Sequence, residues 1–220
     1  MIENIKIFGE RNSGTHFLSA LLRNNITQDD IHFFKEGYIE GTGWKHGYPD
    51  IKLFNKDIVD KTLFIFIIRD KDAWIKSMFN NAYHYKQPRE INEFLLRPLE
   101  VEESRNNHPV HDESEKLNII DLRYSKIAAY LSFFKLVSNA IILNLEDLQA
   151  NDKKLLVFLE NYFKIVMKEE VNHIETHCKD SKIKSPNRTY NTVLPKNIKN
   201  NAMLEDFVNK IKKCYYCKRL

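Results

Sequence analysis

The sequence predicts an α/β protein: a three-layer αβα arrangement around a central parallel sheet, with a glycine-bearing turn after its first strand. Three observations carry that prediction. Strand-like and helix-like segments alternate through the first half of the chain, the pattern of parallel strands joined by crossover helices. The apolar runs Leu63–Ile68 (LFIFII) and Ala140–Leu145 (AIILNL) are continuous, as in strands buried on both faces. A turn bearing two glycines joins the first strand to an amphipathic helix.

The elements follow in chain order. Ile5–Phe8 is a short apolar strand that stops at Gly9. Ser13 reads as a helix N-cap, and Phe17, Leu18, Leu21 and Leu22 fall on one face at helical spacing. Leu63–Ile68 is the next strand, after which Asp70 caps a helix with Ile75, Met78 and Phe79 on its buried side. From Tyr83 to Asn118 the chain is polar, charged and irregular, with a helical piece around Glu90–Leu96. Such a stretch either covers an active site or is a surface insertion. A long helix over about Asp121–Val137 carries Ile127, Ala128, Leu131, Phe134 and Val137 on one side. Ala140–Leu145 is a third buried strand. Asn151 or Asp152 then caps a helix whose apolar face is Leu155, Leu156, Leu159 and Phe163. The tail after Glu169 is rich in Lys and Asn and holds a further helix, Asn200–Lys212.

Composition bounds the function. The 220 residues suit a single domain, 1–220, with an irregular insertion at about 83–118 and a basic C-terminal tail. A hydrophobic share of 43% allows a sizeable core. Thirty-four Lys and Arg against 30 Asp and Glu leave a formal charge of +4. That suits an anionic small ligand and falls short of the basic stripe of a nucleic-acid binder. No apolar run approaches the ~20 residues of a membrane span. The opening MIENIKIFGE lacks the basic and apolar regions of a signal peptide, and three cysteines argue against a disulfide framework. These features predict a reduced, cytoplasmic protein.

The chemistry concentrates first in Gly9-Glu-Arg-Asn-Ser-Gly14-Thr-His16. Its glycines have the G-x-x-x-x-G spacing of a phosphate-binding loop, between a strand and a helix. Glycine lets the backbone approach a ligand, and the amides and positive dipole end of the helix attract an anion. The Lys-Ser/Thr that would hold a magnesium triphosphate is replaced by Thr15 and His16. Arg11 can supply charge from the other side of the loop. The turn therefore reads as an anion site without a metal.

Ser13-Gly14-Thr15 within GERNSGTHFLSALL resembles the 5′-phosphosulfate loop of the PAPS-dependent sulfotransferases, K-S-G-T-T-x-L after a first strand. Phe66–Phe79 (FIIRDKDAWIKSMF) resembles their 3′-phosphate segment, a buried strand ending in Arg followed eight positions on by Ser. Arg69 and Ser77 have that spacing. Ile142–Phe163 resembles the strand, E-D-L turn and helix found late in the family's catalytic domain. The resemblance implies the sulfotransferase fold, PAPS as donor with PAP as product, and no metal. It implies donor contacts from Arg11, Asn12, Ser13, Gly14, Thr15, His16, Arg69 and Ser77. The chain departs from the family at Asn12, where a Lys that contacts the bridging oxygen is usual. Arg11, backbone amides or Lys45 then have to steady the leaving group.

Gly43-Trp-Lys45-His46-Gly47 resembles the family segment in which a Lys and a His lie close together, the His acting as general base. An imidazole titrating near neutrality suits removal of a hydroxyl proton, so His46 reads as the base and Lys45 as a supporting cation. His16 is a second candidate base, whereas His108 and His111 read as solvated. Arg123 and the basic Lys184–Tyr190 segment are candidates for closing over the donor.

The acceptor reads as a hydroxyl or amine, with a saccharide or glycolipid favoured because the chain is shorter than family members acting on phenols or steroids. The alternatives are a P-loop-type kinase of a nucleotide or small metabolite, and a nucleotide-binding protein without catalysis. Outside this set, Cys214 and Cys217 with His173, His177 and Cys178 offer zinc-ligand chemistry but not a complete ligand pattern.

Overall fold

Thr62–Ile68 forms strand β3 with all seven residues buried, because apolar layers cover both of its faces. Leu63, Ile65 and Ile67 enter one hydrophobic cluster, while Phe64, Phe66 and Ile68 enter the other. The period of two is therefore kept, although every position is apolar or Thr. The computed structural model describes residues 1–27, 31–34, 42–82, 85–86, 89–100, 117–173 and 201–213. Among these, β1 (Asn4–Gly9), β2 (His32–Phe33), β3 and β4 (Ala140–Asn144) form a four-stranded, all-parallel sheet in the order β2-β1-β3-β4.

Helices cover both faces, giving the three layers of an α/β fold. On one side α1 (Thr15–Asn25), α6 (Leu145–Ala150) and α7 (Asp152–Phe163) bury Phe17, Leu18, Leu21, Leu22, Leu155, Leu156, Leu159 and Phe163. On the other lie α3 (Lys71–Asn80), α4 (Ile91–Leu96), α5 (Ile119–Leu136) and α8 (Ala202–Lys213), with Ile75, Met78, Phe79, Leu204 and Val208 buried. A short helix, α2 (Lys56–Lys61), leads into β3. No described helix is long and apolar enough to cross a membrane.

The strand order places the site. From β1 the chain moves outward to β2, then returns past β1 to β3 and β4, so the order reverses between β1 and β3. Open parallel sheets bind ligands in the crevice at such a switch point, beyond the carboxyl ends of the strands. Gly9 ends β1 there and Ile68 ends β3, with Gly9 paired to Ile67.

Asp70 caps α3 as expected, accepting from the Asp72 and Ala73 amides. Three local readings change. Ser13 is not the cap of α1: Gly14 holds that position, and the Ser13 hydroxyl donates to the Glu10 carbonyl at 2.6 Å. The strand expected over Ala140–Leu145 stops at Asn144, whose side chain accepts from the Asp147 amide and starts α6, so the E-D-L segment is helical. On α5, Ala128 is exposed and Leu131 and Phe134 are only half-buried. The buried face instead carries Arg123, Lys126, Ile127, Tyr130 and Phe133. Apolar spacing alone misplaces this face, because two buried cations turn it.

Candidate functional site

The turn after β1 is shaped by close backbone approach. A Cβ on Gly9 would lie 2.6 Å from Ile67 Cγ2 and 2.8 Å from the Ile67 carbonyl, so only glycine lets β1 and β3 end side by side. Asn12 takes the left-handed conformation at φ 58°, which Asn tolerates better than most residues. Gly14 sits at φ 93°, and a Cβ there would meet Leu145 Cδ1 at 2.4 Å. These bends set Thr15 and His16 in the first turn of α1, where backbone N–H groups lack intrahelical acceptors and the dipole is positive.

Helix α3 grips this turn from the other side of the sheet. The Trp74 indole N–H donates to the Arg11 carbonyl at 2.7 Å. The Asn12 side-chain amide donates to the carbonyls of Asn81 at 3.0 Å and Ser77 at 3.3 Å, and approaches Met78 Sδ at 3.2 Å. Asn12 therefore fastens the loop, and its side chain is committed to the end of α3. Ser77 meets the loop through its carbonyl. Arg69, just past β3, reaches back to donate from Nη1 to the Asn12 carbonyl at 3.2 Å, and its Nε lies 3.5 Å from Glu146. Glu146 is its acidic neighbour among the described residues. Arg69 and the loop are thus in direct contact.

The 44–47 turn closes the third side. Gly47 N–H donates to the Trp44 carbonyl, and Gly9 N–H donates to the Lys45 carbonyl, each at 2.9 Å. Lys6, buried on β1, donates to Thr42 Oγ1 and the Gly43 carbonyl and secures the approach to this turn. Lys45 Nζ lies 3.0 Å from His16 Nε2. An ammonium can only donate, so His16 accepts at Nε2. His46 Nδ1 lies 2.8 Å from the Gly9 carbonyl. A carbonyl can only accept, so the proton is on Nδ1 and Nε2 carries the lone pair. Burial, with Lys45 and then Arg11 and Lys126 nearby, holds the His46 pKa well below 6.5 despite the Gly9 bond. The ring stays neutral at physiological pH, which a base requires. Arg11 lies with its guanidinium over the Trp44 ring at 4.7 Å and the Tyr85 ring at 5.2 Å.

Beneath the loop runs a charged layer of Glu10, Arg123 and Lys126, of which only Arg123 is singled out in the sequence. Glu10, 1% exposed, accepts from Arg123 Nη1 at 2.6 Å, and Arg123 also donates from Nη2 to the Arg69 carbonyl at 2.7 Å. Burial pushes the Glu10 carboxyl up to about 7, outweighing the opposing pull of Arg123 and Lys126. Arg123 is fully buried, so it joins the tips of β1 and β3 rather than closing over a ligand. Lys126, one turn further on, donates to the His46 carbonyl and lies over the Trp44 and Tyr48 rings. A signal is present in the sequence: Arg123 and Lys126 fall among apolar residues at helical spacing, where cations need buried partners.

The structure thus brings Arg11, Asn12, Ser13, Gly14, Thr15, His16, Lys45, His46 and Arg69 together around the turn after β1, with Ser77 meeting it through its carbonyl. His108, His111, His177, Cys178, Cys214, Cys217 and the Lys184–Tyr190 segment lie outside the described residues. His173 is within them, with Nδ1 2.7 Å from Asp152. Among the described residues no cluster of His, Cys, Asp and Glu is arranged to hold a metal. Compared with known proteins, the chain matches no protein-family model, no curated protein and no solved structure.

Proposed function

We propose that this chain is a PAPS-dependent sulfotransferase of P-loop-like fold, acting on a hydroxyl or amine acceptor, with a saccharide or glycolipid as the favoured acceptor class. The observation that carries the reading is the approach of Arg69 to Asn12 across the β1–β3 crevice. PAPS has a 5′-phosphosulfate and a separate 3′-phosphate, and needs two anion-binding elements facing one crevice. The amides at the start of α1 suit the first. The Arg69 fork, which has five N–H donors, one given to the Asn12 carbonyl and Nε facing Glu146, suits the second.

In this reading His46 Nε2 takes the proton of the acceptor as its oxygen or nitrogen bonds to sulfur. The bond from sulfur to the bridging oxygen breaks, and the charge left on the 5′-phosphate of PAP is met by the loop amides and Lys45. Lys45 stands beside His16 at the start of α1, whereas the Asn12 side chain is turned to α3. This is charge stabilisation by preset groups, as in related group transfers. Calorimetry tests it: 3′,5′-ADP should bind tightly without Mg²⁺, and 5′-AMP weakly. His46→Ala should keep that binding while abolishing turnover of labelled PAPS on an acceptor panel. Preference for ATP with Mg²⁺ would instead favour a kinase.

A further inference from the structure

We propose that Lys126 is a positioning residue for His46, holding the 44–47 turn at the height that presents the imidazole to the crevice. The inference rests on the reading of His46 as the base. The imidazole is fixed at Nδ1 by the Gly9 carbonyl, and the turn it hangs from is closed by the Gly47–Trp44 backbone bond and tied to β1 by the Gly9–Lys45 backbone bond. Lys126 reaches that turn from α5, donates to the His46 carbonyl, and lies 5.8 Å from the Trp44 ring and 5.5 Å from the Tyr48 ring. Trp44 in turn meets the His46 ring edge to face at 5.0 Å. The neighbouring Ser125 holds Tyr48 by a hydroxyl–hydroxyl hydrogen bond of 2.9 Å, so α5 fastens the turn at two successive residues. Lys126 is 4% exposed, and an ammonium is kept in such a place only where its donors are used.

Lys126 also faces the base electrostatically. The charged groups around His46 are Lys45 on the same turn, Arg11 on the loop and Lys126 on α5, all opposing its protonation. Loss of Lys126 therefore makes His46 easier to protonate, and the acidic limb of the kcat/KM profile moves to higher pH.

The test is Lys126→Met, which keeps the stem and removes the charge and donors, with Lys126→Arg as the conservative variant. Lys126→Gln takes its place should the Met variant not fold, as judged by thermal unfolding and 3′,5′-ADP binding. The expected result is a kcat lower by about tenfold or more, as small misplacements of reacting groups produce. The donor KM should stay within about threefold, since the Lys126 hydrogen bond goes to the His46 carbonyl on the 44–47 turn. The His46 ring, followed by NMR and assigned with His46→Ala, should titrate at higher pH, and Lys126→Arg should restore both values. A folded neutral variant with wild-type kcat, or with an unmoved His46 titration, overturns the proposal. Should the wild-type protein fail to turn over PAPS, the sulfotransferase reading falls, while the NMR titration still decides the role of Lys126.

Discussion

Glu10 shows how a single buried residue makes the site pH-sensitive. The unfolded chain releases this proton near the ordinary 4.5, whereas the native protein keeps it until about 7. Between those values the native state binds more protons, so stability declines as pH rises and levels off above 7. The span corresponds to about 3 kcal/mol. Glu10→Gln removes the titration and leaves only a pH-independent offset. Denaturation midpoints across about pH 5 to 8 should therefore show wild type losing stability relative to the variant as pH rises. Parallel curves would mean that Glu10 titrates as an ordinary carboxyl. The sequence does not reveal this residue, because a glutamate after a strand reads as solvated. Gly9 and Gly14 are legible, since backbone approach at a strand–helix turn is tied to local order alone, whereas Arg69 is singled out only through the family resemblance.

The same contrast holds for the elements. Helices α1, α3 and α7 bury the faces that apolar spacing predicts, because the residues at those positions all enter the two hydrophobic clusters on the sheet. Helix α5 does not, since its buried side is partly polar. Arg123 satisfies Glu10 and the Arg69 carbonyl, and Lys126 satisfies the His46 carbonyl. Periodicity of apolar residues cannot see a face whose burial depends on partners more than a hundred residues away, as with Arg123 and Glu10. The energetic consequence is specific to the pairing. Arg123→Met should lower stability by roughly 3–5 kcal/mol at a pH where Glu10 is ionised, because a buried carboxylate is left without its cation. In the Glu10→Gln background the same substitution should cost distinctly less, since it then strands a neutral amide and not a carboxylate, while the hydrogen bond to the Arg69 carbonyl and the stacking on the Trp74 ring are lost in both. Urea unfolding of the four proteins gives the coupling directly. Equal costs in both backgrounds would show that Glu10 and Arg123 are not energetically linked.

At the scale of the molecule, the sheet order explains why these residues matter together. The loop leads from β1 to α1 on one face, whereas Arg69 leads from β3 to α3 on the other, so the two meet at adjacent strand ends, where the order of the sheet reverses. Each side is anchored in a different hydrophobic cluster, and Arg123 bolts the two tips together from below. Arg69 stands there with its side chain 28% exposed, its ion pair with Glu146 worth little to the fold at such exposure. Arg69→Ala should consequently leave thermal stability close to wild type. If the guanidinium reads the 3′-phosphate, the variant should bind 3′,5′-ADP about ten- to a hundredfold more weakly, the effect of losing charge-assisted hydrogen bonds. Its affinity for 5′-AMP, which has no 3′-phosphate, should not change. Calorimetry with both nucleotides separates this from a general effect: an equal loss for the two would mean that Arg69 shapes the loop through Asn12 instead of contacting the nucleotide, and the pairing of a loop site with a strand-tip site would lose its second half.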